Sequence, residues 1–174
     1  MKLIIRDEQM SVIEAVAEES FVRRIALHLL ERYSKAVVTL PDKSQSTVEE
    51  LPEETFFSLI RNAVSRARSH GLTFESAIAG FTAVMFAVSP NFDTHRLSQV
   101  LLNDEEIDPN LRLDELLNVL TDKNWESIKE DYDPAAWEAA EEKPDTEQAE
   151  QQKQPEEVKE DPKEIQYNST IYNQ

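Results

Sequence analysis

The sequence contains no cysteine and only two glycines, Gly71 and Gly80. Without cysteine, the chain has no disulfide, no thiolate metal site and no cysteine nucleophile. The two isolated glycines exclude the glycine-rich loops that hold nucleotide phosphates. They also argue against a fold with many tight hairpins, because hairpin turns need glycine at positive φ. These absences favour a helical fold and point away from nucleotide and thiol chemistry.

Long apolar runs are also missing. The longest is Phe81–Val88, about half of what a transmembrane helix needs. At the N-terminus, only three consecutive apolar residues precede Arg6, too few for the core of a secretion signal. Together with the missing cysteine, this pattern predicts a cytoplasmic protein that does not enter a membrane.

Acidic residues outnumber basic ones, 35 to 18, for a formal net charge of −17. Such a chain is repelled by phosphate backbones and by anionic lipid, so we expect neither nucleic-acid binding nor membrane-surface binding. The charge is compatible with a basic protein partner. Solubility alone is the stronger explanation of this charge.

The composition changes near residue 133. Residues 133–174 hold twelve acidic and only four basic residues, and 141–164 are almost entirely Glu, Gln, Lys, Asp and Pro. Such a segment cannot bury enough apolar surface to offset chain entropy. We therefore predict a helical domain over 1–132 and an acidic, largely disordered tail over 133–174.

Helical periodicity begins at Asp7 and continues to Tyr33, without glycine or proline. Apolar residues recur in three- and four-residue steps, which is the period of a helix face. One series is Met10, Ile13, Ala17 and Phe21, and another is Val22, Ala26, Leu29 and Tyr33. The pattern allows one long helix or two that break near residues 18–20. Residues 34–52 are predicted to be a connector with a short helical turn at 47–51, because a lone strand would have no partner.

Two central helices follow. The first begins at Pro52, a residue suited to the first helical position, and ends before Gly71. Thr73 is the predicted N-cap of the second, which Pro90 ends. No charge occurs from Ser76 to Pro90, so this helix is predicted to be the most buried element.

Three shorter elements complete the predicted domain. A short helix spans 96–102, and Asp108 with Pro109 provides an N-cap and a first-turn proline for the next helix. Trp125 and Ile128 are expected to pack a final turn against the core. The fold class is therefore all-α, an irregular bundle of about five helices.

Catalytic patterns are not evident. The three histidines, His28, His70 and His95, lack the four-residue helical spacing of a zinc pair, and no serine lies in a nucleophile elbow. Carboxylates are abundant, but the most apolar helix carries none after its first turn. A catalytic carboxylate needs a partly buried, perturbed site. We predict neither an enzyme nor a bound metal or cofactor.

Two segments are candidate partner contacts. Phe92 and Asp93 lie in a turn cluster, where the aromatic ring is either a plug in the core or a contact residue. The last ten residues form either a short peptide ligand behind an acidic tether or an ordinary frayed end. Its apolar residues are Ile165, Tyr167, Ile171 and Tyr172.

Three segments resemble a family of small helical proteins associated with bacterial type VI secretion gene clusters, near spike, PAAR-type tip and effector genes. They are Phe21-Val22-x-Arg24-x-x-x-His28-Leu29, Ile60-Arg61-x-x-Val64-x-Arg66-Ala67-x-x-x-Gly71-Leu72-x-x-Glu75, and Met85-Phe86-x-x-x-Pro90-x-Phe92-Asp93. The resemblance spans roughly residues 6–120 and implies a protein partner from such a cluster. It assigns no biochemical role.

These observations are compatible with three functions. The first is an accessory or adaptor protein that binds a secretion spike, tip or effector protein. The alternative is an immunity protein that neutralises a toxic effector, because acidic inhibitors suit basic active sites. The third, and least favoured, is a small hydrolase or metal enzyme. The oligomeric state stays open, since no heptad seam of apolar residues predicts a coiled coil.

Overall fold

A computed structural model describes residues 7–138, which lie within the first of two units of the chain, residues 1–140. This part contains six α-helices and one small antiparallel sheet, so the predicted all-α fold is confirmed. None of its helices has the length and apolarity needed to cross a membrane. The elements are α1 (Asp7–Tyr33), β1 (Val37–Thr39), β2 (Gln45–Thr47), α2 (Glu53–Ser69), α3 (Glu75–Ala87), α4 (Arg96–Leu102), α5 (Pro109–Val119) and α6 (Asp122–Glu130), with 3-10 turns at Val48–Glu50, Phe92–Thr94 and Pro134–Trp137.

The first helix is continuous, which resolves the choice between one helix and two. Its two halves differ in burial. In the C-terminal half, one face is buried through Phe21, Val22, Ile25, Ala26 and Leu29. In the N-terminal half, residues 10–17 are all exposed. The apolar series that begins at Met10 therefore reaches the core only at its last member, Phe21.

The connector between α1 and α2 contains a small hairpin, so the prediction of a loop there was wrong. β1 pairs with β2 in antiparallel register, with Val38 opposite Ser46. Each strand supplies the pairing partner that a lone strand would lack. The reversal between the strands places Lys43 at φ 68°, and Asp42 accepts hydrogen bonds from the backbone and hydroxyl of Ser44. The predicted helical turn near residues 47–51 is present as the 3-10 turn.

The reversal between α2 and α3 is made at Gly71, whose φ of 81° is strained for any residue with a Cβ. The predicted N-cap role of Thr73 was wrong. Phe74 occupies that position without a side-chain cap. Instead Asn110, in the first turn of α5, accepts hydrogen bonds from the backbone N–H groups of Thr73 and Phe74, both at 2.8 Å. A tertiary contact therefore holds the backbone that leads into α3.

The third helix is the most buried one, as its lack of charge predicted. It packs against α1, α2 and α5. At Gly80, an added Cβ would lie 3.1 Å from Leu113 Cδ2, so glycine allows the close approach of α5. The buried residues of α3 are Ile78, Phe81, Thr82, Ala83, Val84, Met85 and Phe86.

The folded body continues beyond residue 132, where the sequence placed its boundary. Asp133 caps the last 3-10 turn by accepting from the N–H of Ala135. That turn carries Trp137, which is 1% exposed and packs its ring 4.8 Å from that of Phe86. The remainder of the predicted tail, residues 139–174, lies outside the described residues.

Candidate functional site: a buried ionic cluster and an uncovered groove

The described residues form one buried ionic cluster, which consists of Asp93, Arg66 and His70. Arg66 Nε donates to Asp93 Oδ2 at 2.8 Å, and His70 Nε2 lies 2.8 Å from the same oxygen. Asp93 is only 3% exposed. Burial raises the pKa of Asp93, but the hydrogen bonds and charges of His70 and Arg66 outweigh it, and the pKa lies below its ordinary value. We refer to these three residues as the Asp93 cluster.

The Asp93 cluster is joined to a segment that we call the C-terminal strap, residues 131–138. The same Arg66 side chain donates through Nη1 to the carbonyl of Ala136 at 2.9 Å. One helical turn earlier, Asn62 donates to the carbonyl of Trp137 at 3.0 Å. Two polar side chains of α2 therefore satisfy two consecutive carbonyls of the strap, which fixes the position of Trp137 in the core.

Two further contacts hold the start of the strap. Asn91 Oδ1 accepts from the N–H of Asp133 at 2.9 Å, and its Nδ2 donates to the carbonyl of Asp131 at 2.8 Å. The Tyr132 hydroxyl accepts from Trp137 Nε1 and donates to the carbonyl of Thr39 in β1, each at 3.1 Å. Burial raises the pKa of Tyr132, which favours the protonated hydroxyl needed for that donation.

The geometry of the Asp93 cluster supports a structural role. One carboxylate oxygen serves both Arg66 and His70, and the carboxylate is closed to any substrate at 3% exposure. A general acid or base must reach the proton that it transfers. Phe92 is likewise fully buried, with its ring 4.7 Å from that of Phe81. Burial removes both Phe92 and Asp93 from the surface that a partner could contact.

The other four predicted contacts, Ile165, Tyr167, Ile171 and Tyr172, lie outside the described residues. Within residues 7–138, no three His, Cys, Asp or Glu side chains converge as metal ligands. The histidines of this part have local partners: His95 Nδ1 accepts from the N–H of Leu97 as the N-cap of α4, and the ring of His28 lies edge-on to Tyr33.

An apolar groove of about 390 Å³ lies between the C-terminal half of α1 and the beginning of α2. Buried side chains of Val48, Leu51 and Phe56 line it, and Leu27 and Leu30 of α1 also line it but are exposed by 61% and 40%. We call it the α1–α2 groove. Its lining is completed by Arg23, Ala26, Glu49, Glu53 and Phe57.

A row of charges flanks the α1–α2 groove. Glu19 accepts from Arg61 of α2 at 3.0 Å and from Arg23 on its own helix at 3.3 Å. The Arg61 guanidinium also lies 5.9 Å from the centre of the Phe57 ring. The hydrogen bond from Arg61 lowers the pKa of Glu19 below its ordinary value, together with the charge of Arg61 and the hydrogen bond and charge of Arg23. These exposed pairs contribute little to stability, but they fix a charged border next to the apolar groove.

Sequence reasoning did not select Leu27 and Leu30. Both lie off the α1 face that the periodic pattern assigned to the core. A leucine outside that face is the feature of the sequence that could have indicated an exposed apolar surface. Isolated exposed leucines are common, so that signal is weak by itself. These two residues form the wall of a groove only because α2 and the 3-10 turn at Val48–Glu50 lie beside them.

Comparisons with protein-family models, with curated proteins and with solved structures gave no match to this chain.

Proposed function

We propose that this protein is a non-catalytic accessory or adaptor protein that binds another protein through the α1–α2 groove. The observation that carries the proposal is the exposure of Leu27 and Leu30 over a floor of buried apolar side chains. Burial of such apolar surface is the usual driving force of protein association. The resemblance to proteins of type VI secretion clusters supports a spike, tip or effector protein as the partner, in the cytoplasm of the producing cell.

The dimensions and charge of the groove favour an amphipathic helix of the partner. A helix that lies along α1 presents apolar side chains at three- and four-residue steps, which suits a groove between two helices. Glu49 and Glu53 lie on the groove lining of a chain with a net charge of −17. We therefore expect the bound helix to carry basic residues beside its apolar face.

The test uses purified partners from the same gene cluster. Leu30→Glu places a charge on the groove wall, and Leu111→Glu is the matched control, because Leu111 is 56% exposed on α5. We expect wild type and Leu111→Glu to bind one spike, tip or effector protein with the same Kd, and Leu30→Glu to bind it at least tenfold more weakly. Isothermal titration calorimetry measures all three. Equal affinity of Leu30→Glu and wild type would show that the groove is not the binding site.

The alternative function is an immunity protein, and its supporting observation is the net charge of −17. An acidic surface accelerates association with a basic active site through electrostatic steering. Co-expression with the neighbouring effector separates the two functions. An immunity protein restores growth of cells that produce the toxin, whereas an adaptor binds the effector without protecting the cells.

A further inference from the structure

Helix α1 carries two apolar surfaces that no described residue covers. One is the wall of the α1–α2 groove, formed by Leu27 and Leu30. The other is the N-terminal half of the helix, where Ile13 is 55% and Val16 is 62% exposed. The two surfaces lie fourteen residues apart on the same helix, because Leu27 follows Ile13, and Leu30 follows Val16, by fourteen positions.

A single line along the helix joins these surfaces. Its positions alternate three- and four-residue steps, which is the spacing of a helix-pairing seam. We call this line the α1 seam. It consists of Ile13, Val16, Ser20, Arg23, Leu27 and Leu30. Two polar residues at its centre interrupt the apolar pattern, which is why the sequence did not predict a heptad seam. The core face of α1, with Val22, Ile25 and Leu29, is a different face of the helix.

We propose that two copies of this chain pair through the α1 seam, antiparallel and related by a twofold axis near Ser20 and Arg23. In this arrangement Ile13 of one copy meets Leu30 of the other, and Val16 meets Leu27. The exposed N-terminal half of each α1 lies along the groove of the second copy. The proposal rests on the same groove as the proposed function, and it names the occupant of that groove when no other protein is bound.

Symmetry and charge both support the antiparallel arrangement. A twofold axis brings the same surface of both copies together, so one contact covers two N-terminal halves and two grooves at once. Near the axis, the Glu19 carboxylate of one copy comes next to the Arg23 guanidinium of the other. A parallel pair would instead place like charges opposite each other.

The size of the helix is adequate for such a contact. The 27 residues of α1 extend over about 40 Å. Two helices packed along most of this length, together with the groove-lining residues of α2, approach the standard size of about 1,600 Å² for a specific interface. The net charge of −17 opposes association, so added salt should strengthen the pairing.

Because the chain contains no cysteine, introduced cysteines can test directly how the two α1 helices align. Val16→Cys and Leu27→Cys are made separately, and one of them carries a tag that changes its mass. After mixing and mild oxidation, the antiparallel seam predicts a disulfide between the two variants. Each variant alone should give no disulfide dimer, because identical positions are about 16 Å apart along the helix axis, beyond the reach of a disulfide. Val100→Cys mixed with Leu27→Cys is the control, since Val100 is 70% exposed on α4.

Light scattering after size exclusion gives the oligomeric state. We expect a mass near twice the 20.0 kDa of the chain and a shift to the single-chain mass for Leu30→Glu. A single-chain mass up to millimolar concentration would overturn the pairing, as would disulfide dimers of each cysteine variant alone. If wild type is monomeric and Leu30→Glu still loses the partner protein, only the pairing fails. If wild type is dimeric and Leu30→Glu binds the partner normally, only the proposed function fails.

Discussion

The Asp93 cluster and the α1–α2 groove differ from their surroundings in opposite ways. The first places charged groups inside the core, and the second places apolar groups at the surface. In the Asp93 cluster the unusual groups are bonded to one another and, through Arg66, to the C-terminal strap. In the groove, no described residue covers Leu27 and Leu30. Charged groups are therefore buried where other groups of the fold pair with them, whereas the exposed leucines have no such partner among the described residues and form the groove that we propose as a binding site.

Loss of Trp137 is expected to have the largest effect, because it empties the part of the core that the strap fills. Trp137→Ala should lower the free energy of unfolding by about 3–5 kcal/mol, the usual cost of removing a buried tryptophan ring. Phe74→Ala is the control, since Phe74 is 60% exposed. Urea unfolding followed by circular dichroism measures both. Equal stability losses in the two variants would mean that the strap is not part of the folded body.

Neutralising Asp93 tests the ionic cluster itself. Asp93→Asn leaves Arg66 without its carboxylate, and breaking a buried pair in this way costs about 3 kcal/mol. Asp114→Asn, at an exposed position of α5, should be neutral to within about 0.5 kcal/mol. Thermal unfolding of both variants provides the comparison. A normal stability of Asp93→Asn would show that the cluster does not hold the strap.

The Asp93 carboxylate should also make the free energy of unfolding depend on pH. Because the pKa of Asp93 is lowered in the folded protein, its stabilising contribution is complete above the ordinary value of 3.8 and is lost as the pH falls through the lower folded value. Wild type should therefore lose more stability than Asp93→Asn between about pH 6 and about pH 3. Urea midpoints at each pH measure the difference. Parallel profiles for the two chains would contradict the assignment of the lowered pKa to Asp93.

The smallest effect is expected in the groove wall. Leu27→Ala should change the free energy of unfolding by less than about 1 kcal/mol, because Leu27 is 61% exposed. Leu29→Ala, two positions away on the buried face, should cost about 2–5 kcal/mol. Both are measured by urea unfolding at low protein concentration, where subunit pairing does not contribute. A cost at Leu27 close to that at Leu29 would mean that Leu27 belongs to the core.

Much of the helical order follows from local sequence. The caps and breakers at Pro52, Gly71, Pro90 and Asp108 act on their own neighbours, so their positions predict helix ends with little knowledge of the fold. The uncharged stretch of α3 similarly predicts burial, because no charged side chain needs water there. For these reasons the all-α architecture and the central position of α3 could be derived before the structure.

The candidate site could not be derived in the same way. Asp93 is 27 residues from Arg66 and 23 from His70, and no local rule relates such positions. Local sequence likewise does not identify the pairing partner of a short strand. The hairpin of β1 and β2 was missed for that reason. Leu30 and Phe57 line the same groove only because α2 packs beside α1.

The acidity, the helical class and most helix ends therefore follow from the amino-acid sequence alone, since these depend on each residue and its near neighbours. Helix packing sets three further features: Asn110 binds the backbone before α3, Trp137 fills the core and the carboxylate of Asp93 is buried against Arg66. It also decided which apolar residues of α1 stay exposed. The physical reason is that burial and long-range hydrogen bonds depend on how helices pack, and packing is a property of the whole chain.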